Sequence, residues 1–148
     1  MNKKAKLGIG CDHAGYYLKE QLKKYLKKEG YVITDYGTYS EESTDYPDYA
    51  HIVAEKVIGK EFDFGILLCG SGNGISMTAN KHQGVRTALC WRVDIAEMAR
   101  KHNDANIISL PARFINTDEA KKIVITFLST EFEGGRHERR VNKIDIRI

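Results

Sequence analysis

The sequence predicts an α/β fold in which helices cover both faces of a five-stranded parallel sheet. Strand patterns alternate with helix patterns, and the strands are nearly continuous apolar runs, as is typical of parallel strands buried on both faces. The chain has 148 residues without a repeat or a linker, which fits a single domain spanning residues 1–148. We expect the carboxyl ends of the strands to form one edge, where such sheets bind ligands.

The N-terminal elements are marked by periodicity and by glycine. The first strand is predicted at 6–11, and the turn 12–15 follows it. A helix over 16–29 then places apolar side chains on one face: Leu18, Leu22, Tyr25 and Leu26. Gly30 is a typical helix terminator, and the second strand begins at 31–33.

The middle of the chain supplies the other three strands. A polar loop over 38–47 leads into a helix with an apolar side formed by Ala50, Val53, Ala54 and Val57. The third strand is predicted at 64–69 and the fourth at 85–90. A helix over 93–102 precedes the fifth strand at 106–110.

The C-terminal third combines a helix with a basic segment. We expect Thr117 to cap the helix, which has these residues on its inner face: Ala120, Ile123, Val124, Phe127 and Leu128. Beyond it, Arg136 and Arg140 are four residues apart and share one side if this segment is helical. The segment is either a solvated surface or a site for an anionic ligand.

Composition narrows the class of protein. The net charge of +3 is too small to indicate nucleic-acid binding, and no apolar run approaches the roughly 20 residues of a membrane span. The basic stretch Met1–Lys6 leads into a strand, so we expect no signal peptide. Three cysteines without close pairing fit reduced thiols in the cytoplasm and no structural zinc site. Cys11 and Cys90 lie in apolar strands and are predicted to be buried and unreactive.

The run from Cys69 to Gly74 predicts an active site. Its three glycines favour a tight turn whose exposed N–H groups converge on an anion. A thiol beside such groups loses its proton more readily than a free cysteine, whose pKa is about 8.5. Asp12, His13 and Arg113 also follow predicted strands, so we expect them at the same edge of the sheet.

Three related motifs are incomplete. Gly10 and Gly15 have the outer spacing of a nucleotide-binding P-loop, but Tyr16 and Tyr17 replace its lysine and hydroxyl residue. Ile75 stands where the dinucleotide fingerprint has glycine or alanine, and where a Cys-x5-Arg phosphatase has arginine. The sequence therefore argues against nucleotide hydrolysis, dinucleotide binding and phosphate-ester cleavage.

Several segments together carry a family resemblance. They are Gly10-Cys11-Asp12-His13-Ala14-Gly15, Thr44-Asp45-Tyr46-Pro47, Cys69-Gly70-Ser71-Gly72-Asn73-Gly74, Ala79-Asn80-Lys81, His102-Asn103-Asp104-Ala105-Asn106, Arg113, and Glu133-Gly134-Gly135-Arg136-His137-x-x-Arg140. In this order and spacing, the chain resembles the ribose-5-phosphate isomerase B family. That family also includes allose-6-phosphate and galactose-6-phosphate isomerase subunits.

The resemblance implies a reaction and an assembly. The reaction is the interconversion of ribose 5-phosphate and ribulose 5-phosphate through a cis-enediolate, in the non-oxidative pentose phosphate pathway. The implied fold is a Rossmann-like three-layer sandwich without a metal or an organic cofactor. The implied assembly is a homodimer or a dimer of dimers with composite active sites, in which residues 134–148 pack on a neighbouring subunit. His102, Asn103, Arg136 and Arg140 would then serve the neighbour's Cys69.

The resemblance also implies roles for single residues. Cys69 is the base that moves a proton between C2 and C1, and Ser71 moves one between O1 and O2. His102 is the acid–base of ring opening, and Asp45 assists at the ring oxygen. The sugar and enediolate oxygens are implied to contact Asp12, Gly70, Ser71, Gly72, Asn73, Gly74 and Asn103. The phosphate is implied to contact His13, Arg113, Arg136, His137 and Arg140.

Two alternatives remain open from the sequence. The first is an isomerase of a six-carbon sugar phosphate, either allose 6-phosphate or galactose 6-phosphate. The presence of both Cys69 and His102 with the full arginine set in one chain favours ribose 5-phosphate. The second is a sugar-phosphate-binding module without activity, which would have no use for the Cys69 thiol.

Overall fold

The computed structural model describes residues 4–147, so Met1, Asn2 and Lys3, on which the expected absence of a signal peptide rests, lie outside it. The described elements, in chain order, are β1 (Lys6–Cys11), α1 (Tyr16–Lys28), β2 (Val32–Asp35), α2 (Tyr46–Ile58), β3 (Phe64–Cys69), α3 (Asn73–Ala79), β4 (Thr87–Leu89), α4 (Val93–Lys101), β5 (Ile107–Pro111), α5 (Thr117–Ser129) and α6 (Arg136–Val141). A 3-10 helix at His13–Gly15 precedes α1. None of the described helices is both long enough and apolar enough to cross a bilayer.

The five strands form one parallel sheet in the order β2-β1-β3-β5-β4, which confirms the predicted fold class. The central strand β3 pairs with β1 on one side and β5 on the other. Cys69 lies opposite Pro111, and Leu68 lies opposite Cys11. The carboxyl ends of β1, β3 and β5 therefore reach the same edge of the sheet.

The sheet divides the core into two layers because successive side chains of a strand point to opposite faces. Ile66 and Leu68 pack with α1, α4 and α5, whereas Leu67 and Cys69 pack with α2 and α3. All four side chains are 5% exposed or less. Burial on both faces explains why β3 is a continuous apolar run in the sequence.

A buried lysine fixes the loop that follows β2, and nothing in the apolar pattern of α1 indicated it. Lys19 is fully buried, and its Nζ lies 2.7 Å from both carboxylate oxygens of Asp35 and 2.6 Å from the carbonyl oxygen of Thr38. Burial raises the pKa of Asp35, but hydrogen bonds from Lys19 and Lys23 outweigh this effect and lower the pKa overall. The loop is thereby held against Cys11, whose N–H donates to the carbonyl oxygen of Gly37 at 2.7 Å.

Some element boundaries differ from those predicted. Strand β4 covers only Thr87–Leu89 rather than 85–90, and α2 already begins at Tyr46, inside the predicted loop. The prediction that Thr117 caps α5 is wrong. Asn116 is the cap: its Oδ1 accepts the N–H of Glu119 at 2.8 Å, and the Glu119 carboxylate accepts the N–H of Asn116 at 3.2 Å. This reciprocal pair leaves Thr117 as the first helical residue.

The capping box gives a direct stability test. Asn116→Ala removes the side-chain acceptor and should lower the free energy of unfolding by about 1 kcal/mol, or the melting temperature by roughly 2–4 °C. Thr117→Ala is the matched control and should change stability by less than about 0.5 kcal/mol, since alanine has the higher helix propensity. Chemical denaturation of both variants checks this. Equal destabilisation by the two substitutions would contradict the assignment.

Candidate active site

Cys69 is the last residue of β3 and lies at the mouth of the glycine loop. Its side chain is 5% exposed, and its Sγ accepts the N–H of Gly72 at 3.2 Å. Gly72 has a left-handed backbone with φ of +78°. A Cβ at this position would collide with the side chain of Leu89, so glycine is required both for the conformation and for the space. The loop thus aims a backbone donor at the thiol.

The rest of the loop is lined by an arginine and a tyrosine. The N–H of Arg113 donates to the carbonyl oxygen of Gly70 at 3.0 Å, and the guanidinium lies directly beside Gly70. The ring of Tyr46 packs so closely on Gly74 that a Cβ there would overlap it. Within residues 4–147, no acceptor meets the N–H groups of Gly70 and Ser71, which leaves them for a ligand.

Asp12 and His13 stand beside this loop, as predicted. Asp12 is 7% exposed, and its Oδ1 accepts the N–H groups of Ala14 and Gly15 at 3.0 and 3.2 Å. Nδ1 of His13 accepts the N–H of Thr44 at 3.2 Å. A neutral His13 ring therefore carries its proton on Nε2, which can donate to a phosphate or hydroxyl oxygen.

The loop that carries Asp45 enters the same region. Asp45 precedes α2 at the N-cap position, but its side chain makes no capping hydrogen bond. The carboxylate is exposed. Ordinary helix capping thus does not account for Asp45. Thr44, its neighbour, is anchored to His13 and through its hydroxyl to Tyr49 at 2.8 Å.

A second group of predicted residues forms its own cluster. His102 follows α4, and its ring stacks on that of His137 with centroids 4.2 Å apart and planes 11° apart. Oε1 of Glu133 lies 3.5 Å from Nε2 of His102 and 3.6 Å from Nε2 of His137. The pKa of His137 is lowered from its ordinary value, first by desolvation and then by the charges of His102 and Arg136.

This histidine cluster lies at the opposite edge of the sheet from Cys69. Helix α4 ends at Lys101, and the chain turns through Ala105 into the amino end of β5, where the carbonyl oxygen of Asn106 accepts the N–H of Gly65. From Gly65 to Cys69, β3 spans roughly 13 Å at about 3.3 Å per residue. Helix α6, with exposed Arg136 and Arg140, begins near the same amino edge because the N–H of Glu133 donates to the carbonyl oxygen of Lys101 at 3.1 Å.

The structure therefore brings the predicted site residues together in two groups rather than one. At the carboxyl edge lie Asp12, His13, Asp45, Cys69, Gly70, Ser71, Gly72, Asn73, Gly74 and Arg113. At the amino edge lie His102, Asn103, Arg136, His137 and Arg140. The length of the sheet separates the two groups within one chain.

The other two thiols match the expectation of unreactive core residues. Cys11 and Cys90 are fully buried. Burial raises the pKa of each to about 12. For Cys11, the nearby cation of Lys19 opposes this shift without cancelling it. Among the three thiols, the one at the glycine loop is the one placed for chemistry.

A thiol, a glycine-rich anion loop and an arginine at the carboxyl edge of a parallel sheet define an α/β enzyme that acts on a small anionic substrate. A family model described as Ribose/Galactose Isomerase matches residues 7–144. The ribose-5-phosphate isomerase B of Escherichia coli K12 is 45% identical over 139 residues, which are 94% of this chain and 93% of that protein. The chain belongs to the ribose/galactose isomerase family.

Solved structures agree with this membership. The ribose 5-phosphate isomerase of Thermotoga maritima is 55% identical, with a TM-score of 0.94 and coverage of 95% of this chain and 97% of that one. The ribose-5-phosphate isomerase B of Mycoplasma genitalium, solved with bound ribulose 5-phosphate, is 43% identical with a TM-score of 0.89. The alignment covers 94% of this chain and 93% of the Mycoplasma genitalium chain. The resemblance drawn from the sequence is confirmed.

Three side chains in these groups were not singled out from the sequence. Tyr46 covers Gly74, Thr44 orients His13, and Glu133 bridges His102 and His137. Glu133 lies in the loop before α6, so its spacing of four residues from His137 is not a helix repeat and gave no usable signal. The contacts of Tyr46 and Thr44 depend on tertiary packing, which no local pattern encodes.

Thiol accessibility can be tested on the native protein. At pH 8 a thiol with a pKa of about 12 is thiolate in only about one molecule in ten thousand, so Cys11 and Cys90 should resist alkylation. Iodoacetamide should label Cys69 first, as measured by peptide mass spectrometry over time. Unfolded protein, in which all three thiols react, is the control. Equal labelling rates in the native state would contradict the assignment.

Proposed function

We propose that this chain interconverts ribose 5-phosphate and ribulose 5-phosphate, with Cys69 as the base that moves the proton. The observation that carries the proposal is the Cys69 thiol beside a glycine loop at the carboxyl edge, in a member of the ribose/galactose isomerase family. The ribulose 5-phosphate bound to the related Mycoplasma genitalium enzyme supports the choice of substrate.

We propose that two copies of the chain build each active site. One copy supplies the carboxyl-edge group around Cys69, and the second supplies its amino-edge group around His102 and α6. This arrangement would bring together, across two copies, the two groups that lie at opposite edges of the sheet within one chain. It also explains why Arg136 and Arg140 are exposed and make no ion pair within residues 4–147.

The phosphate is held by cations from both copies. Arg113 of the first copy stands beside Gly70, and Arg136 and Arg140 reach in from the second copy. An arginine guanidinium binds phosphate oxygens through two parallel hydrogen bonds, which fixes orientation as well as position. Nε2–H of a neutral His13 adds a further donor. Anchoring the phosphate places C1 and C2 over the thiol.

Ring opening precedes the proton transfer because pentose phosphates exist mainly as closed rings. His102 of the second copy takes the proton of the anomeric hydroxyl and returns a proton to the ring oxygen. The exposed carboxylate of Asp45 assists at the ring oxygen, and the Asn103 side chain positions a sugar hydroxyl. The product of this step is the open-chain aldehyde.

The isomerisation itself moves one proton between two carbons. The Cys69 thiolate removes the proton from C2, and the electron pair forms the C1–C2 double bond of a cis-enediolate while O1 takes up the negative charge. The N–H groups of Gly70 and Ser71 stabilise this charge as donors already in place. The Ser71 hydroxyl gives a proton to O1 and takes one from O2. The Cys69 thiol then returns its proton to C1, which yields the ketose.

Turnover by the purified protein tests the reaction. We expect conversion of ribose 5-phosphate in the presence of EDTA, and a fall in kcat of roughly 10²–10⁴-fold in Cys69→Ala, the usual contribution of a positioned base. Binding of ribulose 5-phosphate to Cys69→Ala, measured by calorimetry, should persist. Allose 6-phosphate and galactose 6-phosphate are assayed in parallel. Turnover of a hexose phosphate but not of ribose 5-phosphate would contradict the proposed substrate. If none of the three sugar phosphates is turned over, the alternative of a sugar-phosphate-binding module without activity would be favoured.

Subunit mixing tests the composite site. Cys69→Ala and His102→Gln should each be nearly inactive alone, but co-expressed chains should regain about a quarter of wild-type activity. Half of randomly paired dimers are mixed, and each mixed dimer has one intact site of two. A site confined to one chain predicts no recovery. The control is each variant expressed alone, so that both copies in a dimer carry the same substitution.

A further inference from the structure

The cluster of His102, Glu133 and His137 offers three metal-ligating atoms at the surface. One ring nitrogen of each histidine and one carboxylate oxygen of Glu133 lie within 4.8 Å of one another. Among residues 4–147 this is the one place where three such side chains meet. The nearest comparable pair, His51 and His82, has its ring nitrogens 2.7 Å apart but has no third ligand.

The spacing of these atoms suits a tetrahedral cation. Zinc–nitrogen and zinc–oxygen bonds of about 2.0–2.1 Å place neighbouring ligand atoms about 3.3 Å apart. The two Nε2–Oε1 distances, 3.5 and 3.6 Å, need to shorten by only a few tenths of an ångström. The stacked rings are nearly parallel, so one must turn about its Cβ–Cγ bond for both lone pairs to converge. That torsion has a broad energy well, and half-exposed His102 has room to turn.

The chemistry of the three ligands selects among cations. Two imidazoles and one carboxylate are typical of zinc sites, whereas calcium and magnesium prefer oxygen ligands alone. Glu133 supplies a negative charge and Lys101 is paired with Glu97, whereas the cations of Arg136 and Arg140 near His137 oppose ion binding, so the ligand set must outweigh them. Glu133 is 51% exposed in the single chain, so a fourth coordination position is open to water or, in the proposed two-copy site, to the cavity shared with the second copy.

We propose that His102, Glu133 and His137 form a Zn²⁺ site whose occupation inhibits the isomerase. The inhibition rests on the proposed function, since the ion takes the imidazole of His102 away from ring opening and that of His137 away from the phosphate. The binding of the ion does not rest on it. The site is inhibitory rather than catalytic, because the proposed ring opening uses His102 as an imidazole that no metal binds.

Cobalt titration of the full-length protein measures binding without any turnover. Four-coordinate Co²⁺ should give a strong visible absorption that Zn²⁺ displaces and EDTA abolishes. Glu133→Gln removes the charged ligand from an exposed position and should weaken binding of both ions by at least roughly tenfold. Glu131→Gln, an exposed carboxylate two residues away, and His82→Gln are matched controls that should bind as the wild type does.

The inhibition assay then connects binding to activity. Zn²⁺ should reversibly inhibit turnover of ribose 5-phosphate by the wild type, while Glu133→Gln, compared with its own metal-free rate, should need at least roughly tenfold more Zn²⁺ for the same fractional inhibition. Inhibition that persists in Glu133→Gln would overturn the proposal and place the ion at another ligand, such as the Cys69 thiol. Absence of the cobalt band in the wild type would also overturn it. Cobalt binding by a protein without turnover would instead overturn the proposed function and the inhibition that rests on it, while the metal site itself would stand.

Discussion

The parallel pairing of β3 between β1 and β5 is the constraint on which the rest of the structure depends. Because both pairings are parallel, the three strands deliver their carboxyl ends to one edge. Cys69 stands at that edge opposite Pro111, and the chain after Pro111 returns Arg113 to the glycine loop. The same polarity sends the end of α4 to the other edge. The parallel direction of the strands thus places one group of candidate site residues at the carboxyl edge and the other group at the amino edge.

Most of the fold was predictable because its elements carry local signals. Burial on both faces makes β3 apolar throughout and β5 apolar except at Ser109, and Gly30 follows the end of α1 with a φ of +96°. The cap of α5 was misplaced by one residue, since Asn116 and Thr117 are both good caps and only the reciprocal bond with Glu119 decides between them. Strand β4 is shorter than the predicted range 85–90, because only Thr87, Ala88 and Leu89 pair in register with β5.

The position of one part of the candidate site in the fold was predictable from the sequence, and the position of the other part was not. Strand polarity alone placed Asp12, Cys69 and Arg113 at one edge, and the structure has them there. The separation of His102 from Cys69 follows from the direction of α4, although its residues reached the candidate list through a family motif. Lys19 escaped notice because a lysine in an amphipathic helix is ordinarily solvated. Its burial depends on Asp35, which lies on the next element of the chain.

The division of the site between two edges has a consequence in terms of mass action. If each site is built from two copies, as proposed, a chain that holds half of the machinery at each edge has no complete site when it is alone. In that arrangement, the pairing of two chains is required for activity and does more than stabilise the fold. The concentration of active sites varies with the square of the free monomer concentration in dilute solution, and it becomes proportional to total protein only above the dissociation constant of the pair. The proposed two-copy site thus makes the concentration of active enzyme a cooperative function of the concentration of the chain.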